Sequence, residues 1–234
     1  MLKNYSLTTY GIILAALCTP HLEASATEFN EKDSGIFISG AIGASQSQSY
    51  IVNSTSYNVG TGDNYNYDFN RQYSVSGIIN VGYKASFGDK NTWNAFYFGG
   101  SFDYYNFGKV IDPNSSQVEK NAVTGNVTVT NTDYLNLNAL GGEIFIGKYL
   151  ASPFSIEAGL GMGGNINGPS QGLMGVFRFR VGYDFFDNFK VFVQYVGASF
   201  QKDTWNPVFF FSNLEYNNNA ITINNEQIGI EYTF

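Results

Sequence analysis

The sequence has little of the side-chain chemistry on which enzymes and metal sites commonly rely. Its 234 residues include one cysteine, Cys18, and one histidine, His21. Both lie in an N-terminal segment that we expect to be removed. The mature chain would then lack a disulfide, a thiolate nucleophile, an imidazole base and a histidine metal ligand. We therefore predict that the protein is not an enzyme and uses no metal ion or other cofactor.

Positive charge and long apolar runs are also scarce. The formal net charge is −7, which argues against a nucleic-acid partner because such a partner calls for a basic surface. After residue 26 no segment approaches about 18 continuous apolar residues, so no transmembrane helix is expected. A transmembrane barrel is compatible with the ordinary mean hydropathy of −0.14, because its lipid-facing and lumen-facing residues alternate.

The N-terminus has the three parts of a secretory signal peptide. A lysine near the start is followed by the apolar segment 11–18 and by the small residues 24–26. The apolar segment is too short to span a bilayer. We predict a cleaved signal peptide over residues 1–26 and one mature domain over residues 27–234. A lipoprotein signal at Cys18 is the alternative, although leucine precedes this cysteine where a small residue is usual.

The C-terminal residues alternate strictly between apolar and polar side chains. Ile228, Ile230, Tyr232 and Phe234 occupy one face, and polar residues or glycine occupy the other. A period of two is typical of a β-strand with one apolar face. A terminal aromatic residue after such a strand resembles the sorting signal of bacterial outer-membrane barrels. This resemblance implies that Ile230, Tyr232 and Phe234 form a C-terminal signal read by the barrel assembly machinery.

Further segments show the same alternation, which predicts an all-β chain of eight antiparallel strands. The predicted strands are about 35–44, 72–87, 93–104, 133–149, 154–163, 173–185, 189–197 and 228–234. Ten strands are the alternative, because segments 123–130 and 220–223 are also β-prone. In the fourth segment Leu135, Leu137 and Ala139 are predicted to face outward, and the glycine pair 141–142 suggests a bulge.

The connections between these segments alternate in length. Short turns are predicted near Asp89, Ser152 and Asp187. The intervening connections are long and polar at 46–71, 105–132 and 201–219, and shorter at 165–172. Outer-membrane barrels have short periplasmic turns and long extracellular loops. The pattern therefore favours an up-and-down transmembrane barrel in the outer membrane, with its loops outside the cell and its termini in the periplasm.

Aromatic residues gather next to the predicted short turns. A ring at a water–lipid boundary has one apolar and one hydrated side, so such residues form belts around membrane proteins. The predicted periplasmic belt consists of Phe87, Trp93, Tyr149, Phe154, Tyr183, Phe185, Phe189, Tyr232 and Phe234. The alternative is a soluble β-sandwich with these rings scattered through its core.

Charged residues occupy the face opposite to the lipid-facing residues. An eight-stranded barrel has an interior that side chains fill, and unpaired charges there would be costly. We predict a lumen charge network of Lys84, Asp103, Glu157, Arg178, Arg180, Asp184, Lys190 and Glu231, with Glu143 as a further candidate. Glu157 is the expected partner of the two arginines. The network is predicted to plug the lumen, and a narrow ion path is the alternative.

The predicted loops contain more aromatic residues than solvation requires. The binding candidates are Tyr50, Tyr57, Tyr65, Tyr67 and Phe69 in the first long loop, and Trp205, Phe209, Phe210 and Phe211 in the last. Tyrosine among Asn, Ser and Gly is typical of adaptable binding surfaces. The alternative is that these residues extend the strands above the membrane or pack the loops against one another.

Together these features resemble the small eight-stranded outer-membrane barrels: the OmpA transmembrane domain, OmpX and the opacity-type surface proteins. The resemblance covers the whole mature chain and concerns architecture. It implies a surface protein with structural and adhesin-like roles, in contact with outer-membrane lipid and lipopolysaccharide and with a host or surface ligand at its loops. A small porin is the alternative function. Enzymes among outer-membrane barrels use a histidine, which this mature chain would lack.

Overall fold

A computed structural model describes residues 28–52, 66–68, 72–111, 117–120, 127–130, 134–150, 153–167, 172–201 and 220–234. In these residues no helix is long and apolar enough to cross a membrane. The strands are β1 (Phe29–Val52), β2 (Asn66–Asp68), β3 (Gln72–Phe87), β4 (Phe96–Ile111), β5 (Gln117–Lys120), β6 (Val127–Thr130), β7 (Tyr134–Tyr149), β8 (Phe154–Asn165), β9 (Leu173–Phe186), β10 (Phe189–Gln201) and β11 (Ala220–Thr233).

Eight of these strands form one closed antiparallel barrel. Neighbouring strands follow in the order β1, β3, β4, β7, β8, β9, β10 and β11. The barrel closes because β11 pairs back with β1, from Phe37–Thr233 to Tyr50–Ala220. The predicted eight-stranded up-and-down barrel is confirmed.

The ten-stranded alternative is wrong for two local reasons. Residues 127–130 of the first segment, 123–130, form the strand β6, which in the described part of the chain pairs with β5 in a separate two-stranded sheet. Residues 123–126 of that segment lie outside the described residues. Segment 220–223 is the beginning of β11. Other strands also extend further towards the loops than their alternation predicted: β1 continues to Val52, where it pairs with β2, and β4 continues to Ile111.

The two ends of the barrel differ. The turn end carries the described turns 88–95 and 187–188, the residues Leu150 and Pro153, and Phe234, and we call the opposite ends of the strands the loop end. Gly88 has a φ of 78° in the first of these turns, a conformation that favours glycine.

The pairing register determines the tilt of the strands. We start at Phe96 and move from each residue to its direct partner on the next strand. After one circuit of the barrel this path returns to β4 at Asn106, which is ten residues nearer the loop end than Phe96. The path is Phe96, Lys148, Ile156, Val181, Val193, Ile228, Ile42, Gly77 and Asn106. With about 3.3 Å per residue and about 4.8 Å between strands, this shift tilts the strands by about 41° and gives a barrel radius of about 8 Å. Side chains fill an interior of this width.

Side chains alternate between the lumen and the outer surface along the barrel strands. In β4, Phe98 and Phe102 are 51% and 83% exposed, whereas Tyr97 and Asp103 next to them are buried. On β4 the outward apolar and aromatic side chains extend from Phe96 to Tyr104, a height of about 20 Å along the barrel axis by the strand tilt and rise. This height is close to the apolar band of about 25 Å that outer-membrane barrels present to lipid.

A belt of aromatic side chains surrounds the turn end. Its predicted members Phe87, Trp93, Phe154, Tyr183, Phe185, Phe189, Tyr232 and Phe234 occupy outward or turn positions. The prediction that Tyr149 belongs to this belt is wrong. Tyr149 is 3% exposed and lies inside the lumen, where its ring centroid is 5.0 Å from that of Tyr97. Tyr149 lies four residues after the inward Phe145 on β7. Because side chains alternate along a strand, an even separation places both on the same face.

At the loop end, the apolar band meets pairs of tyrosine and asparagine on the outer surface. The Tyr104 hydroxyl donates a hydrogen bond to Asn138 Oδ1 over 3.0 Å, and the Tyr195 hydroxyl donates one to Asn224 Oδ1. Glu226 lies next to Tyr195 on the neighbouring strand and is also exposed. Tyrosine with its hydroxyl in a polar layer is typical of the second membrane boundary.

The inward and outward faces of β7 differ from the prediction. Leu137 and Ala139 are 2% and 0% exposed and face the lumen, and Leu135 packs against the same interior side chains. The prediction that these three residues face lipid is therefore wrong. Their apolar character predicts an outward position, but the lumen is itself apolar at the loop end.

The bulge predicted in β7 lies in the neighbouring strand. The register of β7 with both of its neighbours is continuous through Gly141 and Gly142. The register shift is in β4, between Asn106 and Gly108, and Gly108 has a φ of 75°. This positive φ is easily adopted only by glycine, so Gly108 accommodates the extra residue.

Candidate functional site

Six charged side chains form a continuous chain across the middle of the lumen. Their signs alternate in the order Lys84, Glu231, Arg180, Glu157, Arg178 and Glu143. The successive nitrogen–oxygen distances are 3.0, 2.8, 3.6, 2.9 and 2.7 Å. All six residues are buried. Because cations and carboxylates alternate, each buried charge has an opposite charge beside it, which offsets the cost of removing it from water.

The two arginines at the centre of this chain come from one strand. Arg178 and Arg180 lie two residues apart on β9, so both point into the lumen. Glu157 on β8 is the direct register partner of Arg180, and its Oε1 atom is 2.9 Å from Arg178 Nη2 and 3.6 Å from Arg180 Nη1. The guanidinium carbon of Arg180 also lies 3.8 Å from the centroid of the Phe192 ring, a cation–π contact.

Neutral hydrogen bonds extend the network around the barrel wall. Arg180 Nε donates to Gln194 Oε1 over 3.1 Å. Gln194 in turn donates to Gln227 over 2.7 Å, and Gln227 donates to the Ser76 hydroxyl over 3.0 Å. The network therefore connects β9, β10, β11 and β3, and it fixes the side chains of four strands relative to one another.

Asp103 is stabilised in a different way. It accepts hydrogen bonds from Asn80, from the Ser101 hydroxyl over 2.7 Å and from the Tyr105 hydroxyl over 3.0 Å. Asp103 is 2% exposed, and in the described ranges no basic side chain lies within ion-pair distance of it. Three donors converging on one carboxylate satisfy most of its acceptor sites.

Two apolar clusters enclose the charged layer along the barrel axis. The loop-end cluster consists of Ile78, Tyr105, Phe107, Val110, Leu137, Ala139, Met174, Val176, Val196, Ala198, Phe200, Ile221 and Ile223. The turn-end cluster consists of Phe37, Ala95, Tyr97, Phe145 and Tyr149. In the loop-end cluster the rings of Phe107 and Phe200 meet edge to face at 5.5 Å between centroids. The lumen is thus packed with side chains on both sides of its charges.

The first turn-end residues of β1 cover part of the lumen at that end. The register of β1 with β3 shifts between Asn30 and Gly35. Within this bulge the Asp33 carbonyl accepts a hydrogen bond of 2.8 Å from the hydroxyl of the inward Ser86, and the Asp33 carboxylate lies 3.2 Å from Lys90 Nζ. The bulge is therefore attached both to the barrel interior and to the first turn.

Inward glycines make room for the large side chains of the lumen. A Cβ atom at Gly147 would overlap the ring of Tyr97, and one at Gly159 would overlap the carboxylate of Glu143. Both positions are on strands that neighbour the large residue. Gly147 and Gly159 are therefore part of the lumen packing.

The structure places the predicted lumen residues on the inner side of the barrel. Lys84, Asp103, Glu143, Glu157, Arg178, Arg180, Lys190 and Glu231 are buried. The Asp184 side chain is 14% exposed and lies 3.8 Å from Lys190, at the turn end of the network. Lys190 Nζ lies 5.0 Å from the centroid of the Tyr97 ring. In the described ranges no three His, Cys, Asp or Glu side chains form a group that could hold a metal ion.

The predicted loop residues are not brought together in the described part of the chain. The backbones of Tyr50 and Tyr67 lie in β1 and β2, where Tyr50 pairs with Asp68 and Tyr67 pairs with Ile51. The other loop candidates lie outside the described residues: Tyr57, Tyr65, Phe69, Trp205, Phe209, Phe210 and Phe211. Residues 1–26, the predicted signal peptide, also lie outside them.

The predicted C-terminal signal residues lie on the outer surface of the barrel. Ile230, Tyr232 and Phe234 are 53%, 42% and 72% exposed. The rings of Tyr232 and Phe234 meet edge to face at 5.0 Å between centroids. The backbone N–H of Phe234 donates to the Ile36 carbonyl over 2.8 Å, so the chain terminus is held against the first strand.

The predicted lumen network contains the charged residues and not their neutral partners. Asn80, Gln194 and Gln227 are buried and make hydrogen bonds that connect the charges to the wall. The alternation contained the necessary signal, because polar residues occupy inward positions on β3, β10 and β11. The loop-end cluster was missed because inward positions were expected to be polar.

The fold and the lumen define a class: a closed, eight-stranded, antiparallel up-and-down β-barrel with an interior filled by side chains. No protein-family model matches the sequence, and no curated protein matches it significantly. Among solved structures the chain is similar to Neisserial surface protein A, with 14% identity and a TM-score of 0.43 over 86% of this chain and 98% of that one.

Two further solved structures show the same kind of similarity. One is Ail, the attachment invasion locus protein of Yersinia pestis, in complex with the heparin analogue sucrose octasulfate, with 13% identity and a TM-score of 0.33 over 86% of this chain and 99% of that one. The other is the outer membrane protease OmpT from Escherichia coli, with 12% identity and a TM-score of 0.35 over 90% and 99% of the two chains. At these identities the similarity concerns the fold.

Proposed function

We propose that the protein is an outer-membrane surface barrel with a sealed lumen, which acts as a rigid support for loops outside the cell and has an adhesin-like role. The observation that carries this proposal is the packing of the lumen. A chain of alternating buried charges lies between two apolar clusters, so the interior serves stability and leaves the loops as the part of the molecule that can meet a partner.

The outer surface supports the location in a membrane. It combines an apolar band with an aromatic belt at the turn end and tyrosine–asparagine pairs at the loop end. Backbone groups inside such a band must be paired within the protein, and closure of β1 on β11 removes both free sheet edges. The sorting of short and long connections supports an orientation with the termini in the periplasm.

The loop-end cluster argues against conduction through the lumen. An ion that follows the barrel axis would have to pass Phe107, Leu137 and Phe200, which are 1%, 2% and 4% exposed. Moving a bare ion into apolar surroundings costs tens of kcal/mol by continuum reasoning. A small porin, the alternative function, would need a continuous polar path, and the described part of the lumen offers packed hydrocarbon at this level.

The absence of enzymatic activity is part of the same proposal. The sequence has no histidine after His21. The buried carboxylates are engaged by arginine, lysine or neutral donors inside the barrel. They are also remote from bulk water, so they are poorly placed for a substrate to reach.

Planar-bilayer recording tests the sealed lumen directly. Purified barrel, reconstituted and shown by protease protection to be inserted, is expected to give no stable current steps. A matched variant that replaces Phe107, Leu137 and Phe200 by serine keeps the charge network and tests whether the loop-end cluster forms the barrier; it should conduct or flicker. Stable, cation-biased steps from the wild-type protein would favour the porin alternative and overturn the sealed barrel.

A further inference from the structure

The outer surface of the barrel has an apolar groove that the lumen does not use. The groove has a volume of about 770 Å³ and lies across β3, β4, β7 and β8. Its walls include Phe102, Ile144 and Met162, which are 83%, 73% and 64% exposed. Its floor is the backbone at Gly100 and Gly142, which occupy outward positions of β4 and β7.

The two floor glycines have no packing role inside the barrel. A Cβ atom at Gly142 would be 3.6 Å from its nearest neighbour, an ordinary contact, and one at Gly100 would be 3.3 Å from the Glu143 carbonyl. At the inward Gly82 and Gly99 a Cβ would overlap a carbonyl oxygen and an aromatic ring. Glycine weakens a strand interior, and it often marks a place where a ligand or another backbone approaches closely.

The groove floor runs along the barrel axis. Gly100 pairs with Ile144 while Gly142 pairs with Phe102, so Gly142 lies one strand further and two residues nearer the loop end. With strands tilted by about 41°, this step is about 8 Å long and within about 5° of the axis. The same step leads from Ala85 to Gly100 and from Gly142 to Gly164. Small residues therefore continue the floor through the height of the apolar band.

Two rows of large side chains form the walls, and both rows run parallel to the floor. One row consists of Tyr83, Phe102, Leu140 and Ile166, and the other of Phe98, Ile144, Met162 and Leu173. All eight are exposed apolar or aromatic residues. The groove is thus one side-chain row wide, and it opens along its length into the lipid-facing band.

We propose that this groove binds one acyl chain of a membrane lipid, extended along the membrane normal. An acyl chain is apolar along its length, is thin enough to reach the glycine backbone between the walls, and has this direction in a bilayer. The groove is continuous with the lipid-facing band, so a chain enters it sideways without crossing a polar layer. The inference rests on the membrane location proposed above and adds a specific lipid site to it.

A second copy of the barrel fits the groove less well. The outer surface is convex, and the walls stand above the floor, so another barrel would touch the walls and leave the floor uncovered. A contact confined to such walls is small compared with the roughly 1,000 Å² of total buried surface that a stable interface needs.

The test uses the mature chain in phosphatidylcholine vesicles that contain a phosphatidylcholine with a photoreactive diazirine in the middle of one acyl chain. After illumination, the labelled residues are located by mass spectrometry. Gly100→Leu and Gly142→Leu each place a side chain on the groove floor. The nearest neighbours of the added Cβ atoms would be at 3.3 and 3.6 Å, so the barrel should tolerate both substitutions. Gly40→Leu is the matched control, because Gly40 is an outward glycine on β1 whose Cβ would have its nearest neighbour at 3.9 Å and which does not line the groove.

In the wild-type protein, labels are expected to concentrate on Phe102, Ile144 and Met162 compared with equally exposed residues elsewhere on the band. Gly100→Leu and Gly142→Leu should lose most of this excess, whereas Gly40→Leu should keep it. Equal labelling around the band, an excess that survives both substitutions, or crosslinks between two copies at the groove would overturn the proposal. Protease protection of the same vesicles tests insertion separately, so loss of the membrane location is distinguishable from loss of the groove site.

Discussion

Replacing Arg178 by methionine removes the cation at the glutamate end of the lumen chain while keeping much of the side-chain volume. Arg178 is 1% exposed, and its Nη2 atom lies 2.7 Å from Glu143 and 2.9 Å from Glu157. Without it, Glu157 keeps only Arg180, at 3.6 Å, and Glu143 has no other ion pair among the described residues. Removing one member of a buried ion pair typically costs about 3 to 5 kcal/mol, because the remaining charge stays buried without a partner.

The free energy of unfolding is the quantity to measure. Urea titration of the barrel in phospholipid vesicles can be followed by tryptophan fluorescence, because Trp93 is 63% exposed in the turn-end belt and should report the loss of lipid contact. The matched control is Lys32→Met, at a side chain that is 72% exposed and 3.5 Å from Asp187, which should change stability by no more than about 0.5 kcal/mol.

A double-mutant cycle separates the charge effect from packing. Glu143→Gln removes the charge that Arg178→Met leaves unpaired, so the double variant should recover part of the loss, with a coupling of about 1 to 3 kcal/mol. Additive effects, or a loss below about 1 kcal/mol for Arg178→Met alone, would show that the network does not stabilise the barrel as described.

Three further predictions concern the wall, the terminus and the loops. Gly159→Ala should cost about 1 to 3 kcal/mol in the same titration, because its Cβ overlaps Glu143, while Gly40→Ala should be neutral within about 0.5 kcal/mol; equal effects would contradict the packing. Phe234→Ser should lower the heat-modifiable, assembled fraction in outer membranes compared with Thr233→Ser, and unchanged assembly would remove Phe234 from the proposed signal. Deleting residues 53–65, between β1 and β2, should leave insertion intact and reduce adhesion of cells to host surfaces; lost insertion would assign these residues to the barrel.

The barrel itself could be predicted because its outer face is consistently apolar. Alternation located β3 to the residue, from Gln72 to Phe87, and placed the beginnings of β8 and β9 correctly. It ended β4 too early, at 104, because after Asn106 the bulge at Gly108 changes which residues point outward. A pattern of period two cannot be followed through an extra residue without knowledge of the partner strand.

The charged residues of the lumen could be predicted from the sequence, and the apolar and aromatic residues of the lumen could not. The alternation predicts Arg178, Arg180 and Glu157 in the lumen, because they lie on the face opposite to the apolar row of their strands. Leu137 and Tyr149 were placed outward because apolar side chains suit lipid, yet a barrel about 8 Å in radius is also filled by them. Hydropathy alone does not distinguish an apolar interior from a lipid-facing surface. The distinction requires the separation along the strand from a charged inward residue, because an even number of residues places a side chain on the same face.

The pairing of the first strand with the last has a consequence for biogenesis. The ladder from Phe37–Thr233 to Tyr50–Ala220 cannot form until β11, the last strand of the barrel, has been synthesised and delivered. Before that moment both edges of the sheet present unpaired N–H and C=O groups, next to exposed residues such as Ile42 and Ile228. Such edges readily pair with other chains and aggregate. The protein should therefore depend on a holding chaperone during its transit, and a copy truncated before β11 should accumulate as an insoluble or degraded species.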